Sequence, residues 1–242
     1  MPHHFIASHS IHQAVNAGVF EQYALQKVAN IFSKNNVAVM VGGTGLYANA
    51  FCNGIDAIPH IDEAITQNIN AQYALYGITW LQQQIKLNDP LFFQQGEIQN
   101  PHRLIRALAV KLGTHKSIIQ FQLNQPKKRD FNIIKIGLQL PRQTLVDRIN
   151  SRVDAMMEQG LLQEVTALLP HQHLNALQTV GYKELFAYLN GQISLPAAIE
   201  AIKISTRQYA KRQMTWFKKD KTITWCTPNI NEVEQCIPKF HT

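Results

Sequence analysis

The stretch VAVMVGGTGLY, residues 37–47, decides the fold class of this chain. Its first five residues are all apolar, and Gly42-Gly43-Thr44-Gly45 follows at once. A short continuous apolar run bounded by turn residues is typical of a strand buried on both faces of a parallel sheet. Helix-spaced apolar residues precede the run at 12–34 and resume at Leu46. The stretch therefore predicts a strand at 37–41, a glycine turn and a helix, which together indicate an α/β fold.

The rest of the chain predicts two more strands, at 133–138 and 222–226. Between the first two strands the sequence is rich in Gln and Asn and shows helical patterns without a convincing strand. We therefore expect residues 1–55 to form the first part of an α/β core, 56–129 a helical insertion, and 130–242 the return to the core with C-terminal helices. One insertion helix is predicted to open at Asn100-Pro101, with Leu104, Leu108 and Leu112 as its apolar stripe. A long helix is predicted to follow Pro141, with an interruption near Gly160 and further helices at 161–169, 182–190 and 195–217.

The composition favours a polyanionic partner. The 242 residues carry a net charge of +7, and 45% of them are apolar, enough for a large core. The three cysteines, Cys52, Cys226 and Cys236, form no CxxC pair, so we expect neither a zinc site nor any other metal ligand set in these residues. The sequence contains no apolar run long enough to cross a membrane and no signal peptide at its start, which predicts a cytoplasmic protein without a membrane partner.

Residues 205–220, STRQYAKRQMTWFKKD, interleave basic and aromatic side chains on a predicted helix. A phosphate backbone and an unstacked base would need such a surface. A solvated basic helix whose aromatic rings face the core would show the same composition. The composition of the segment leaves both interpretations open.

Four other segments could bind anions or RNA. The Gly42–Gly45 turn lies where α/β sheets bind ligands, although a tight turn needs glycine anyway. Arg148 and Arg152 share a helix face and could clamp a pyrophosphate, or they could be exposed arginines beside Asp147 and Asp154. Residues 178–183, QTVGYK, could contact bases or form an ordinary helix cap. Arg103 and Arg106 could contact phosphates or only face water.

Taken together, these segments resemble the bacterial tRNA dimethylallyltransferase family, which prenylates N6 of adenosine 37 next to the anticodon. The resemblance covers almost the whole chain. The matching segments are PHHFI at 2–6, VMVGGTGLY at 39–47, NPHRLIRALAV at 100–110, RINSRVDAMMEQGLLQEV at 148–165, QTVGYKEL at 178–185 and TRQYAKRQMTWFKKD at 206–220.

The resemblance implies a P-loop NTPase-like parallel sheet core with a swinging helical insertion. The substrates would be the tRNA anticodon stem-loop and dimethylallyl diphosphate, with Mg²⁺ as cofactor, and the protein would act as a monomer. The resemblance also implies catalytic roles for Arg152 and Thr44, with Thr44 at the mouth of the channel for the flipped base. Diphosphate contacts are implied for Arg152, Arg148, Gly42 and Gly43. Contacts with tRNA are implied for His102, Arg103, Arg106, Gln178, Thr179, Gly181, Tyr182, Lys183, Arg207, Lys211, Arg212, Gln213, Trp216 and Lys218.

The 242 residues depart from the family pattern at its phosphate loop. The family's Gly-Pro-Thr-x-x-Gly-Lys-Thr/Ser loop, and the strand with the aspartate proposed as general base, have no counterpart in this sequence. We therefore expect a fragment of an ordinary enzyme, with the magnesium ligands mainly in the missing segment and little transferase activity in this chain. A tRNA-binding protein without activity, an adenine-nucleotide isopentenyltransferase and a P-loop small-molecule kinase are the alternatives.

Overall fold

The computed structural model describes residues 2–123 and 125–237. The chain forms two compact units, one of Met1–Cys52 with Arg129–Thr242 and one of Asn53–Lys128. Short 3₁₀ turns occur at Ile118–Phe121, Leu169–His171 and Asn175–Leu177. In chain order the strands are β1 (Ile136–Leu138) and β2 (Thr224–Cys226), and the helices are α1 (Ala17–Phe32), α2 (Gly45–Asn53), α3 (Glu63–Asn88), α4 (Pro90–Gln95), α5 (Pro101–Thr114), α6 (Arg142–Glu158), α7 (Leu161–Ala167), α8 (Tyr182–Leu189), α9 (Leu195–Phe217) and α10 (Ile230–Gln235).

The two strands pair in parallel, as a core built from strands joined through helices requires. Ile136 lies opposite Thr224, and Leu138 lies opposite Cys226. The ladder continues past the strand ends, because the Gln139 amide donates to the Cys226 carbonyl oxygen at 2.9 Å. Both predicted strands are therefore confirmed, although each is shorter than the apolar pattern suggested.

The predicted strand at 37–41 is wrong for this structure. Among the residues described, the only sheet is the β1–β2 pair, and the run 37–41 has no ladder partner. Its apolar side chains face solvent, with Val39 74% and Val41 91% exposed. A strand exists only where a neighbouring strand accepts and donates its backbone hydrogen bonds, and the apolar pattern cannot supply that neighbour.

The larger unit has its core among α6, α7, α8 and α9. Gly160, at φ +99°, ends α6 and allows the chain to turn into α7, which confirms the predicted interruption. The Ser194 hydroxyl caps α9 by accepting from the Ala197 amide, and a proline stands in its first turn. The buried side chains of this core are Val153, Leu161, Val165, Leu177, Leu185, Phe186, Ala198 and Ile202.

An arginine that the sequence did not single out ties α1 to α2. Arg129 pairs with the carboxylate of Glu21 at 2.7 Å, and both side chains are almost fully buried. The same guanidinium donates to the carbonyl oxygens of Phe51 (2.8 Å) and Ala50 (2.9 Å) near the end of α2. These two carbonyls thereby gain partners that the helix itself does not provide.

The smaller unit is helical, with its core between α3, α4 and α5. Asn100 caps α5 and Pro101 begins it, as predicted. Leu104 and Leu108 are buried, but Leu112 is 43% exposed, and Val110 is buried instead. Residues spaced by four drift about 40° per step around an α-helix, so the third leucine has rotated out of the stripe.

Candidate functional site

The glycine turn before α2 lies directly against the basic helix α9. The Gln213 side-chain amide donates to the Gly43 carbonyl oxygen at 2.9 Å. A Cβ atom on Gly43 would lie 2.0 Å from Gln213 Nε2, and one on Gly45 would lie 2.2 Å from the Trp216 ring. Gly45 is therefore needed because the Trp216 ring approaches its backbone so closely, whereas a Cβ at Gly43 would displace only the flexible end of the Gln213 side chain.

This packing gives a reason for glycine in the turn that the sequence did not suggest, namely the close approach of α9 side chains, and ligand binding by the turn stays a prediction. Gly42, Gly43 and Gly45 all lack the positive φ that a tight glycine turn would require. The exposed Thr44 immediately precedes α2, and its carbonyl oxygen accepts from the amides of Tyr47 and Ala48 at 3.0 Å. The turn thus supplies a helix N-terminus, which favours anions, beside a cationic helix.

Side chains along one face of α9 and the turn after it border a shallow, open surface hollow of about 330 Å³, which we call the cleft. The cleft is lined by Lys211, Arg212, Thr215, Trp216 and Lys219. The predicted contact Trp216 is 45% exposed, so one part of its ring packs on Gly45 while another stays open to solvent. The structure thus shows a solvated basic face with the exposed Trp216 ring within it, and RNA binding by this segment stays a prediction.

Two cleft residues were missed by the sequence-based site prediction. Thr215 follows Lys211 by four residues on the same side of α9, and Lys219, four residues further, lies in the turn just after the helix. That spacing was visible in the sequence and could have identified them. The predicted residues Arg212 and Lys218 are exposed on the same helix segment, and the Arg212 guanidinium lies 5.8 Å from the centre of the Tyr209 ring.

The nearest acidic residue in sequence does not neutralise the cleft. Asp220 accepts a hydrogen bond from Lys135 at 2.7 Å and another from the Thr222 hydroxyl at 2.6 Å. The Lys135 ammonium, followed by the Thr222 hydroxyl, lowers the pKa of Asp220 to about 2. Because Lys135 already pairs with this carboxylate, the lysines and arginine of the cleft keep their charge available for an anionic ligand.

Arg207 has a different position from the other predicted RNA contacts. It is half-buried and donates to the Asn150 side-chain oxygen of α6 at 2.8 Å. One turn earlier, Lys203 pairs with Asp154 of α6 at 2.8 Å. These two contacts fasten α9 to α6, and they give Arg207 a structural function beside the predicted contact with tRNA.

Arg148 and Arg152 lie exposed on α6. Of their acidic neighbours, Asp154 pairs with Lys203, and Asp147 accepts a hydrogen bond from the neutral side-chain amide of Gln143. In the part of the chain that the structure describes, neither arginine forms an ion pair or a hydrogen bond with the glycine turn. Their role on a diphosphate stays a prediction.

The loop 178–183 combines exposed polar groups with an anchored tyrosine. Gln178, Thr179 and Lys183 are exposed. Gly181 is buried at φ +97°, a conformation that needs glycine, and its amide donates to Glu184 at 2.8 Å.

Tyr182 donates its hydroxyl to Glu164 of α7. Burial and this carboxylate raise the pKa of Tyr182 to about 12, so the phenol stays protonated. The tyrosine is therefore held by the protein rather than free to rotate, and its predicted contact with tRNA is not tested by this geometry.

In the helical unit, the predicted contacts His102, Arg103 and Arg106 are all exposed on α5. The Asn100 side chain accepts from the amides of His102 and Arg103, so it fixes the backbone at the start of this basic segment. These residues are available to a ligand of the helical unit.

The described residues do not form a metal site of their own. Within 2–123 and 125–237, no group of three or more His, Cys, Asp or Glu side chains could hold a metal ion. The cleft on α9 is lined by cations, a hydroxyl and an indole, whereas Mg²⁺ prefers carboxylate and other oxygen ligands. The magnesium requirement therefore stays a prediction, and these side chains do not fit the ion.

Comparison with known proteins identifies the family. The model of the IPP transferase family matches residues 1–220. A tRNA dimethylallyltransferase of Christiangramia forsetii is 47% identical over 224 residues, which cover 92% of this chain and 74% of the relative. The chain belongs to the IPP transferase family. It spans about three quarters of that relative's length.

Solved structures confirm the fold class of this IPP transferase family member. The tRNA isopentenylpyrophosphate transferase of Bacillus halodurans superposes with a TM-score of 0.65 at 31% identity, covering 97% of this chain and 76% of that one. A eukaryotic dimethylallyltransferase acting on tRNA gives a TM-score of 0.71 at 22% identity, covering 94% of this chain and 61% of that one, and shows likeness of fold alone. These transferases have a P-loop NTPase-like α/β fold, as predicted for this chain. Among the residues described here, no helix is long and apolar enough to cross a membrane.

Proposed function

We propose that this chain binds the anticodon stem-loop of tRNA and serves the transfer of a dimethylallyl group from dimethylallyl diphosphate to N6 of adenosine 37, in tRNAs that read codons beginning with U. The observation that carries the proposal is the contact between the glycine turn and α9, with Gln213 bound to Gly43. It joins an anion-favouring helix start to a basic, indole-bearing cleft in one unit.

The cleft suits single-stranded RNA in its charge and in its exposed aromatic ring. Lys211, Arg212 and Lys219 would contact phosphates, which supply most of the affinity for a nucleic acid. The exposed part of the Trp216 ring offers a stacking surface for a base that has left its helix. The exposed groups of Gln178 and Lys183, and in the other unit those of Arg103 and Arg106, would add further contacts.

The reaction requires cations beside the leaving group and correct placement of the two substrates. The donor loses diphosphate readily because the remaining carbocation is allylic, so the main task is to stabilise the negative charge of the leaving group. Arg148 and Arg152, which make no ion pair among the described residues, would hold that diphosphate. Thr44, exposed at the start of α2, would lie beside the adenine, whose N6 attacks the carbocation and loses a proton.

A salt titration of tRNA binding tests the role of the cleft. The slope of log affinity against log salt reports the number of phosphates neutralised, at about 0.7 to 0.9 per contact. We expect Lys211→Ala to reduce this slope by roughly one contact. Lys34→Ala, which removes one exposed charge near the end of α1, is the matched control and should leave the slope unchanged. Equal effects of the two variants would show that tRNA responds to net charge and not to this cleft.

A second variant separates stacking from charge. Trp216→Leu keeps the net charge but removes the indole, so we expect weaker tRNA binding with an unchanged salt slope. Comparison with AMP distinguishes the adenine-nucleotide alternative, because an enzyme acting on free nucleotides would bind AMP and show no preference for tRNA. Wild-type affinity for tRNA in Trp216→Leu would contradict the stacking role.

We further propose that residues 1–242 tested alone bind tRNA but transfer little or no dimethylallyl group. A phosphate loop of the family type is not among these residues, and the described side chains form no metal site. Incubation with tRNA, Mg²⁺ and dimethylallyl diphosphate, followed by nucleoside analysis, measures the transfer. Clear product formation would contradict this expectation, and absence of tRNA binding would contradict the proposed function itself.

A further inference from the structure

The loop that leads into α8 is held at its first end by backbone and side-chain hydrogen bonds. The Gln178 backbone amide donates to the Asn175 carbonyl oxygen at 3.1 Å, and the Gln178 side-chain amide donates to the carbonyl oxygen of Gln172. The Gln172 side chain in turn accepts from Asn190, the C-cap of α8, at 2.8 Å. Gln178 is therefore fixed in two ways, although the residue is exposed.

The second end of the loop is held by two carboxylates. Glu184 accepts from the Gly181 amide at 2.8 Å, which is a contact within the first turn of α8. Glu164 accepts from the Tyr182 hydroxyl and lies on α7, 18 residues earlier in the chain. The Glu164 bond therefore ties this end of the loop to a different helix, which the local Glu184 bond does not do.

Glu164 and Tyr182 both belong to well-packed helices. Leu161 and Val165, on either side of Glu164 in α7, are buried in the core of the larger unit. The Tyr182 ring lies 6.3 Å from the ring of the buried Phe186. Burial and the Glu164 carboxylate raise the pKa of Tyr182 to about 12, so the hydroxyl keeps its proton and donates throughout the neutral range. The carboxylate itself is exposed, so replacing it leaves no cavity in the core.

The residues between the two anchors are exposed. Thr179 and Val180 face solvent, and Gly181 follows at φ +97°. The Lys183 amide donates to the Thr179 carbonyl oxygen at 3.2 Å, which closes the loop onto the start of α8. Ordering a loop during binding costs conformational entropy, and a loop that is already ordered avoids that cost. The anchors therefore favour binding of a ligand that contacts Thr179 and its neighbours.

We propose that Glu164 is a positioning residue for tRNA binding: by holding Tyr182 it keeps the loop 178–181 in the conformation that contacts the RNA. This inference rests on the proposed function, because tRNA is the ligand assigned to the loop there. Glu164 does not itself contact the RNA, since a carboxylate repels phosphates. Its two effects on affinity are therefore opposite in sign. Removal of its charge strengthens binding, whereas loss of the anchor weakens it.

Two substitutions of Glu164 separate these effects. Glu164→Gln removes the charge but keeps an oxygen that accepts from the Tyr182 hydroxyl, whereas Glu164→Leu removes both. We expect Glu164→Leu to weaken tRNA binding by about two- to ten-fold, the loss for one or two side chains that must be ordered on binding, with an unchanged salt slope. Glu164→Gln should bind tRNA at least as tightly as the wild type. Glu158→Leu, at the exposed last residue of α6, is the matched control for loss of one carboxylate and should not weaken binding.

Tyr182→Phe tests the same hydrogen bond from its donor, since it removes the hydroxyl and keeps the ring. It should weaken tRNA binding about as much as Glu164→Leu does. The double variant should bind no more weakly than either single variant, because the two residues act through one hydrogen bond. Additive losses in the double variant would overturn the proposal. If Glu164→Leu does not fold, wild-type affinity in Tyr182→Phe overturns it instead.

Hydrogen exchange shows whether the loop has become mobile. Amides of residues 181–183 should exchange several-fold faster in Glu164→Leu than in the wild type or in Glu164→Gln, while those of α5 should be unchanged. Three outcomes would overturn the positioning role alone: wild-type tRNA affinity in folded Glu164→Leu, equal losses in Glu164→Gln and Glu164→Leu, or weaker binding without faster exchange. A wild-type chain that does not bind tRNA would overturn the proposed function and this inference with it.

Discussion

The side-chain amide of Gln213 donates to the carbonyl oxygen of Gly43 across 170 residues of sequence, at 2.9 Å. This bond fixes the basic helix α9 against the glycine turn before α2. Trp216, one helical turn beyond Gln213, covers Gly45 in the same way. The anion-favouring turn and the cationic cleft are therefore parts of one surface, and a change in either is expected to affect the other.

Gly45→Ala should damage this surface. Its Cβ would lie 2.2 Å from the Trp216 ring, which is too bulky to move without disturbing α9. Overpacking of this kind costs about 1–3 kcal/mol. We expect that loss in the free energy of unfolding, together with weaker tRNA binding and a changed tryptophan fluorescence spectrum.

Gly42→Ala is the control for this substitution, since nothing lies within 4 Å of a Cβ at Gly42. It should match the wild type in stability and tRNA binding. Gly43→Ala should fall between the two, because the end of the Gln213 side chain can rotate away while its hydrogen bond is lost. Equal stability of the Gly42 and Gly45 variants would refute the packing argument.

Arg129→Met should strongly destabilise the larger unit. The substitution leaves the buried Glu21 carboxylate without its cation and removes the donors to the carbonyls of Ala50 and Phe51. Breaking one side of a buried pair typically costs about 3–5 kcal/mol. Urea unfolding followed by circular dichroism measures this loss. Lys128→Met, at the exposed neighbouring position, should cost little, and a similar cost for both would contradict the importance of the buried pair.

The ion pair of Asp220 with Lys135 predicts a stability change in acid. The pKa of Asp220 in the folded chain is about 2, below the ordinary value near 3.9 for an unfolded chain. The pair therefore stabilises the fold above about pH 4, and its contribution is lost as the pH falls towards 2. We expect the stability difference between the wild type and Asp220→Asn to shrink between pH 5 and pH 2, as measured by urea midpoints. A constant difference over this range would argue against the pair; Asp130→Asn, at an exposed carboxylate, is the control.

The exposed run 37–41 predicts self-association. Val39 and Val41 are 74% and 91% exposed on a segment without a strand partner among the residues described. Such a segment can pair with its counterpart in another chain. Val39→Lys with Val41→Lys should lower light scattering at high concentration and change the free energy of unfolding by no more than about 0.5 kcal/mol. Asn36→Lys adds charge nearby without altering the run, so an equal benefit from it would point to net charge instead.

Local patterns predicted most helices and the two paired strands. The proline and asparagine that open α5, and the glycine that separates α6 from α7, act through the backbone of their own segments. Such signals depend only on neighbouring residues, so they can be recognised in the sequence. The run 37–41 has an equally clear strand pattern, but strand formation depends on a partner from elsewhere in the chain.

The candidate site was predicted in pieces. Motif resemblance identified the glycine turn and α9, and helical spacing could also have identified Thr215 and Lys219. The contact between Trp216 and Gly45 could not be predicted, because no pattern in the sequence around either residue indicates that the other lies beside it. The same holds for Arg129, whose partners lie up to 108 residues away.

The sequence by itself determined the family, the helices and the concentration of positive charge in the C-terminal segment, since these depend on residue identity and short-range spacing. Only the tertiary structure decided which cations stay available: Lys135 is bound by Asp220 and Arg207 by Asn150, while Lys211 and Arg212 line an open cleft. The physical reason is that a charged side chain interacts strongly only with groups within a few ångströms, and the fold decides which groups lie that close.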